Sequence, residues 1–290
     1  MKTKEINTII DTTQIKTVFS NFIQLRDIEG VENVKKYSDD INKQERTIVL
    51  NLNNEDEYKP ILNLKDYKKK MKEVINTLEI VEIKKVKLER IDIAIDIDID
   101  FNTNFKFLLY LHQVITNTQI SDKWYTTNLN TLKRNTIISR SRDKEVCFYD
   151  KKEESNEKHY LSTRLEFRYK RLSKLDLEMQ IKKVIEDLNN IENNIENAEK
   201  EIAERLILLY LNEKEKNKIL TFSEFVRKYN HFFYNKYVLK LVYHKSGLKG
   251  NFNTWLSKFR ESNPIEFYDK KDINNFKKIM IKSIKKYMKK

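Results

Sequence analysis

The segment Ile91–Phe101 reads IDIAIDIDIDF and alternates strictly between apolar and other residues. Every odd position is isoleucine or phenylalanine, and four of the five residues between them are aspartates. Successive side chains of a β-strand point to opposite faces of its sheet, and β-branched residues favour strands. The segment therefore predicts a strand with one buried face and one face lined by carboxylates.

The sequence on either side predicts more strands, with helices between them. Four other stretches read as strands: Thr47–Leu52, Thr136–Ser139, Glu145–Tyr149 and Thr163–Tyr169. Apolar residues three or four apart in Leu64–Leu78 predict an amphipathic helix, and Phe105–Ile115 predicts a helix packed on the sheet. Residues 1–172 are thus predicted to form an α+β domain built on an antiparallel sheet.

After Arg171 the apolar residues follow a heptad pattern. They are spaced by four and three in turn, at Leu177, Ile181, Val184, Leu188, Ile191, Ile195, Ala198 and Ile202. The pattern predicts one long helix, reaching Leu211, that packs on a second copy of the chain or on an aromatic-rich helix at Phe222–Tyr243. We favour the second, because the phenylalanines of that helix need a buried partner. With a third helix around Trp255–Arg260 and a basic tail, residues 173–290 are predicted to form a helical domain for DNA binding or oligomerisation.

Composition excludes several classes of protein. The chain has 290 residues, with 57 Lys+Arg against 44 Asp+Glu, and its net charge of +13 favours a polyanionic partner. A single cysteine excludes a disulfide framework and a cysteine-based zinc site, and three scattered glycines exclude a glycine-rich nucleotide loop. We expect no membrane span and no secretory signal, and a reducing cytoplasm as the compartment.

Aspartates of the first strand are candidate metal ligands. Asp92 and Asp96 share a face but lie about 13 Å apart at ~3.3 Å per residue, so they cannot both bind one ion. One of them could do so together with Glu166 of the predicted strand Thr163–Tyr169. Carboxylate oxygens suit Mg²⁺ or Mn²⁺. The alternative is an exposed sheet face with acid–base pairs across the strands.

Basic residues surround the predicted hairpin in the middle of the chain. They are Arg134, Arg140, Arg142, Lys144, Lys151 and Lys152, with Thr136, Ser139 and Ser141 among them. Such a mixture suits contacts to nucleic-acid phosphates, and the alternative is a solvated hairpin.

Three short motifs follow one another in a familiar order. They are R-x-D-x-A-x-D at Arg90–Asp96, F-Y-D-K-K at Phe148–Lys152 and T-R-L-E-F-R at Thr163–Arg168. Over roughly residues 85–172 the chain resembles the replication initiation factor family of plasmid rolling-circle Rep proteins and related relaxases. The family often has a glycine in the hairpin strand, where this chain reads TIISRSR, and no His-x-His occurs here.

The resemblance implies an HUH-like nuclease fold and a specific reaction. A tyrosine would attack one phosphodiester at the plasmid origin, stay joined to the DNA 5′ end and leave a free 3′-OH. Asp92 or Asp96 with Glu166 would bind Mg²⁺ or Mn²⁺. The residues implied near the DNA phosphates are Arg90, Arg164, Arg168 and Lys151, to which the hairpin cluster adds Arg140 and Arg142.

Two tyrosines are candidates for the nucleophile. Val146 and Phe148 form the apolar face of their strand, which leaves Tyr149 on the polar face and makes it the first choice. Tyr160 is the second choice, whereas Tyr169 faces the core.

Three functions agree with these observations. The leading hypothesis is a plasmid or phage replication initiator that nicks one strand; its expected partners are origin DNA, a host helicase and a second copy of the chain. The others are a non-catalytic origin-binding or replication-control protein and a relaxase of a mobile element.

Overall fold

The computed structural model describes residues 6–19, 30–36, 45–53, 60–79, 83–117, 125–127, 134–155, 161–172, 176–216, 218–219 and 221–289. The strands of this part of the chain are β1 (Ile6–Phe19), β2 (Val31–Lys36), β3 (Glu45–Leu50), β4 (Ile83–Ile97), β5 (Tyr125–Thr127), β6 (Arg134–Arg140), β7 (Lys144–Asp150) and β8 (Thr163–Lys170). Its helices are α1 (Leu64–Glu79), α2 (Phe105–Thr116), α3 (Lys151–Glu154), α4 (Leu177–Asn189), α5 (Ile191–Glu215), α6 (Phe222–Lys228), α7 (Lys236–Lys245), α8 (Phe252–Ser262) and α9 (Lys270–Lys289).

The chain forms two compact units, each assembled from separate stretches. The sheet unit contains residues 2–100, 138–186 and 278–290, and the helical unit contains residues 101–137 and 187–277. The sequence analysis instead places one boundary at residue 172. The predicted helix at Phe105–Ile115 is confirmed as α2, which is almost entirely buried and packs on α5 within the helical unit; its packing on the sheet stays a prediction.

The sheet is antiparallel where its pairing is described, so the chain combines helices with an antiparallel sheet as predicted for an α+β fold. Its strand order is β2-β3-β1-β4-β8-β7-β6-β5. The predicted strands around residues 47–52, 136–139, 145–149 and 163–169 are confirmed as β3, β6, β7 and β8. The predicted helix at 64–78 is confirmed as α1.

Both faces of β4 are buried. The isoleucine face is buried as predicted, but Asp92 and Asp96 on the other face are only 1% and 0% exposed. The strand also ends at Ile97 rather than Phe101, and the Ile99 amide donates to the Ile97 carbonyl (2.9 Å) in the turn that follows. The carboxylate face is therefore part of the interior. The alternative of an exposed face is wrong about the exposure, but the acid–base pairs across the strands that it includes are present.

Helix α1 and the part of α9 that belongs to the sheet unit cover the isoleucine face. Directly opposed residues of antiparallel strands share a face, so Thr13, opposite Ile91, and Thr8, opposite Ile95, both lie on it. The hydroxyls of Thr13 and Tyr67 of α1 form a hydrogen bond of 2.7 Å, and those of Thr8 and Ser283 of α9 form one of 2.8 Å. Hence α1 and the second half of α9 pack on the side of the sheet opposite the carboxylates.

Replacing Tyr67 with phenylalanine tests this packing. The substitution leaves the buried Thr13 hydroxyl without its tyrosine partner, so we expect the free energy of unfolding to fall by about 1–3 kcal/mol. Urea unfolding measures the loss. The matched control is Tyr237→Phe, which changes a half-exposed tyrosine and should cost less than about 0.5 kcal/mol. Equal effects of the two substitutions would contradict the placement of α1.

The heptad residues after Arg171 are all buried, but they lie on two helices. α4 ends at Asn189 and α5 begins at Ile191, so the prediction of one unbroken helix is wrong. Within the helical unit α5 packs on α7 and α2, and the ring of Tyr210 lies 5.2–5.4 Å from those of Phe222 and Phe225. This packing agrees with the favoured interpretation, in which the aromatic helices bury the heptad residues of α5.

The rest of the helical region also differs in detail. The predicted helix at Phe222–Tyr243 is interrupted between α6 and α7 by a 3₁₀ turn, and the predicted basic tail is the end of the 20-residue helix α9. None of the described helices is both long and apolar enough to cross a bilayer.

Candidate functional site

The strands β4, β8 and β7 bring polar side chains together on one face of the sheet. In the register of β4 and β8, Asp92 is opposite Arg168, Ala94 is opposite Glu166, and Asp96 is opposite Arg164. On the other side of β8, Arg168 is opposite Glu145, Glu166 is opposite Cys147, and Arg164 is opposite Tyr149 of β7. Opposed residues share a face. We call this the polar face; its members are Asp92, Asp96, Glu145, Cys147, Tyr149, Arg164, Glu166 and Arg168.

The most deeply buried pair of the polar face joins Arg164 to Asp96. The Nε of Arg164 donates to Oδ1 of Asp96 at 2.5 Å, and its Nη2 donates to Oδ2 at 3.0 Å. Its Nη1 also donates to Asp11 of β1. Because Arg164 is only 1% exposed, it cannot reach a DNA phosphate in this arrangement. The predicted phosphate-binding role of Arg164 is therefore not one that this conformation can perform.

Two more arginines bind the other predicted metal ligands. Arg90 donates from Nε (2.7 Å) and Nη2 (2.5 Å) to the two carboxylate oxygens of Asp92. Arg168 donates to Glu166 at 2.9 Å, and its Nη1 lies 3.5 Å from Glu145. The thiol of Cys147 also lies 3.8 Å from the same Glu166 oxygen. Each of the three carboxylates thus already has a guanidinium partner.

The polar face, as arranged, fits arginine rather than a divalent ion. Asp92 and Glu166 are diagonal neighbours on adjacent strands, so the expectation that an acid of each strand lies on one face holds. A metal site needs further ligands, and within the residues that the structure describes no three carboxylate, imidazole or thiol groups converge in that way. Binding of Mg²⁺ or Mn²⁺ stays a prediction, and it would require Arg90 or Arg168 to release its carboxylate.

Burial alters the protonation of Asp92. Loss of solvent raises its pKa most, the hydrogen bonds from Arg90 lower it, and the nearby charge of Glu166 raises it further, which brings the pKa to about 7. A carboxyl group in the unfolded chain has a pKa of about 3.9. Asp92 therefore holds a proton in the folded state over a pH range in which the unfolded chain has lost it.

The pH dependence of stability tests this shift. The contribution of Asp92 is fully present below about pH 4 and is lost as the pH rises through about 7, because only the folded state holds the proton in between. Asp92→Asn lacks this loss. As the pH rises across that window, the free energy of unfolding of the variant relative to that of the parent should therefore rise by at most about 1.4 kcal/mol per pH unit. Urea unfolding at stepped pH measures both proteins. Parallel curves would show that Asp92 titrates normally.

Tyr149 lies on the polar face, as the strand parity predicts. It is half-buried at the end of β7 opposite Arg164, and the ammonium of Lys151 lies 5.9 Å from its ring centre. Burial and then the charge of Glu166 raise the pKa of its hydroxyl well above 10, against the opposing effect of Arg164. The phenol is therefore neutral at physiological pH. Tyr169 is opposite Ile91, on the apolar face, as expected, and Tyr160 lies outside the described residues.

The predicted hairpin arginines are open to solvent. Arg140 has a side chain 68% exposed, with its Nε 3.7 Å from Glu145, and Arg142 is exposed in the β6–β7 turn. Lys151 pairs with Glu154 on the short helix α3. Arg140 and Arg142 are thus accessible to a phosphate chain without any rearrangement of the sheet.

Strand parity places Glu145 on the polar face with Cys147 and Tyr149, and the register confirms this, but its pairs with Arg168 and Lys170 were not predicted. Asp11 was missed altogether. Asp11 lies where the pairing of β1 and β4 shifts register between Ile10 and Thr12, and an irregularity of this kind has no period-two signature.

Comparisons with known proteins give only weak likenesses. No family model and no curated protein matches the chain. Among solved structures, a rolling circle replication initiator protein from Geobacillus stearothermophilus is similar at a TM-score of 0.30 with 13% identity, over 57% of this chain and 75% of that one. The regulatory subunit of aspartate kinase from Thermus thermophilus is similar at a TM-score of 0.25 with 6% identity, over 67% of this chain and 99% of that one. Both scores are too low to show a shared fold.

Proposed function

We propose that this chain is a plasmid or phage replication initiator with an HUH-like nicking fold, which cuts one strand of its origin through Tyr149. The observation that carries the proposal is that Tyr149 shares one face of three adjacent strands with Asp92, Glu166, Arg164 and Arg168. A phenol, guanidinium groups and carboxylates are the groups that a phosphodiester transfer to tyrosine uses.

The reaction is a transesterification. The Tyr149 oxygen bonds to the scissile phosphorus, the bond from phosphorus to the 3′ oxygen breaks, and the proton given up by the phenol is balanced by the one that the 3′-OH gains. The phosphotyrosine ester on the DNA 5′ end keeps the energy of the broken bond for rejoining. Because the phenol of Tyr149 is neutral, its proton must leave during the attack.

The arginine pairs set a condition for this activity. Phosphate oxygens and carboxylates compete for the same guanidinium donors. Entry of a DNA strand is therefore expected to draw Arg90 and Arg168, which are only partly buried, away from Asp92 and Glu166. Arg140 and Arg142 would hold the neighbouring phosphates. A requirement for Mg²⁺ or Mn²⁺ is a further prediction of the same proposal.

A second candidate function is a non-catalytic origin-binding protein. The observation that favours it is that all three candidate carboxylates are already bound by arginine, as in a structural charge network. Such a protein would bind DNA through its exposed basic groups and leave the strand intact.

Incubation with supercoiled DNA of the replicon that encodes the chain separates the two functions. The proposal expects nicked circles with protein attached to the 5′ end when Mg²⁺ or Mn²⁺ is present, and none when the metal is chelated. If the parent and Glu166→Ala both shift the DNA band, and neither nicks the DNA with Mg²⁺ or with Mn²⁺, the result would select the binding protein. If the chain neither nicks the DNA nor shifts its band, both functions are excluded.

A further inference from the structure

Helix α9 carries a row of exposed lysines that neither the candidate site nor the proposed function uses. Lys278, Lys282, Lys285 and Lys289 follow one another at intervals of four, three and four residues, and all are exposed. This spacing places them along one side of the helix. Residues 278–290 include six lysines and no acidic residue, in a chain whose net charge is +13.

The apolar side of the same helix is already used by the fold. Met280, Ile284 and Tyr287 are buried, and Ser283 bonds to Thr8 of β1. A basic amphipathic helix that binds membranes inserts its apolar side between the lipids. Since that side of α9 faces the sheet, only the charged side is available, and this favours a polyanion over a membrane.

Helix α1 adds to the charge on the same side of the sheet. Its buried residues Tyr67 and Met71 face inward, and Lys65, Lys69 and Lys72 are exposed on its outer side. Both helices cover the isoleucine face of β4, opposite the polar face. We call the outward lysines of the two helices the lysine face; they are Lys65, Lys69, Lys72, Lys278, Lys282, Lys285 and Lys289.

The geometry of this row suits the backbone of a nucleic acid. From Lys278 to Lys289 the helix rises about 16–17 Å at ~1.5 Å per residue, which corresponds to about half a turn of duplex DNA. Like charges at these intervals repel one another within a helix. An anion with regularly spaced charges would relieve that repulsion and release its own counterions.

We infer that the lysine face binds the sugar–phosphate backbone of double-stranded DNA, on the side of the sheet opposite the candidate nicking site. The choice of DNA as the polyanion rests on the proposed function; the location of the surface does not. Lysines that contact phosphates give affinity without base sequence. The lysine face would therefore hold duplex DNA of any sequence, while the polar face acts on one strand.

The test is the salt dependence of duplex binding by the full chain. Fluorescence anisotropy with a labelled duplex of arbitrary sequence compares the parent with a variant in which Lys278, Lys282, Lys285 and Lys289 are all glutamine. Each lost phosphate contact should reduce the slope of log affinity against log salt by about 0.9. For four contacts, raising the salt from about 50 to 200 mM should weaken binding by the variant about 100-fold less than it weakens binding by the parent.

A control variant changes the same charge elsewhere. Lys240, Lys245, Lys249 and Lys258 are exposed in the helical unit and lie outside α9, and their replacement by glutamine should leave the slope nearly unchanged. Arginine at the four α9 positions should restore binding. An equal loss in both glutamine variants, or no loss in the α9 variant, would overturn the inference, and so would binding to vesicles of anionic lipid without binding to duplex.

Nicking of a short single-stranded oligonucleotide that carries the origin cleavage sequence keeps this inference separate from the proposed function. The oligonucleotide offers the lysine face no duplex. If it is not cut while the α9 variant still loses duplex affinity, the proposed function fails alone. If it is cut and the α9 variant binds duplex like the parent, the inference about the lysine face fails alone.

Discussion

Arg164→Leu is expected to lower the free energy of unfolding by about 3–5 kcal/mol, because it breaks a buried ion pair and leaves one charge behind. Arg164 and Asp96 are both almost fully buried, and the two hydrogen bonds between them compensate the loss of hydration of each. Leucine fills part of the volume but supplies no donor. Urea unfolding at neutral pH measures the loss.

A double substitution separates the ion pair from packing. Arg164→Leu together with Asp96→Leu removes both charges, and replacement of a whole buried pair by apolar residues is often neutral or stabilising. Asp11, the other partner of Arg164, is partly exposed and can be hydrated. The double variant should therefore recover most of the stability that the single variant loses. Arg142→Leu, at an exposed position of the β6–β7 turn, should change stability by less than about 0.5 kcal/mol.

Two outcomes would contradict these expectations for Arg164. If Arg164→Leu unfolds at the same urea concentration as the parent, the buried pair contributes nothing to stability. If the double variant is no more stable than the single one, the loss comes from packing rather than from an unpaired carboxylate.

Period-two alternation sufficed to predict where β4 lies but not where it ends. Asp98 and Asp100 continue the alternation, yet the strand stops at Ile97. The reason is the extent of its neighbour β8: Ile97 is opposite Thr163, the first residue of β8. A strand ends where its partners end, and a single segment of sequence does not contain that information.

The composition of the polar face could be predicted by parity, but its ion pairs could not. Counting odd and even positions places Tyr149 and Glu166 on one face, as the register confirms. Whether Glu166 faces a metal or an arginine depends on which residues the neighbouring strands bring opposite it. The contact between Arg164 and Asp11 joins residues 153 positions apart, and it forms where the register of β1 shifts.

In the helical region, too, the sequence predicted which residues are buried but not where the helices end. Heptad spacing identified every buried apolar position from Leu177 to Ile202, because the helix period fixes which side is apolar, but not the buried polar residues Gln180 and Glu199. It did not show the break between α4 and α5. Asparagine competes with the helix for backbone hydrogen bonds, and the pair Asn189–Asn190 lies at this break.

Tyr149→Phe is expected to abolish the covalent protein–DNA adduct, with a loss of nicking rate of about 10⁴-fold or more, as for the removal of other enzymatic nucleophiles. The substitution removes one oxygen and keeps the ring at the end of β7, beside Lys151. Duplex binding should therefore remain at the parental level. Peptide mapping of the adduct formed by the parent identifies the attacking residue directly.

The matched control for this variant is Tyr169→Phe, because Tyr169 belongs to the adjoining strand β8 but lies on the apolar face, opposite Ile91. It should nick at the parental rate. Tyr160→Phe tests the second candidate, which lies outside the described residues. An adduct that persists in Tyr149→Phe and maps to the peptide containing Tyr160 would move the nucleophile. An adduct that persists with both tyrosines replaced would show that the shared face of Tyr149, Glu166 and Arg164 is a structural charge network and that another part of the chain performs the chemistry.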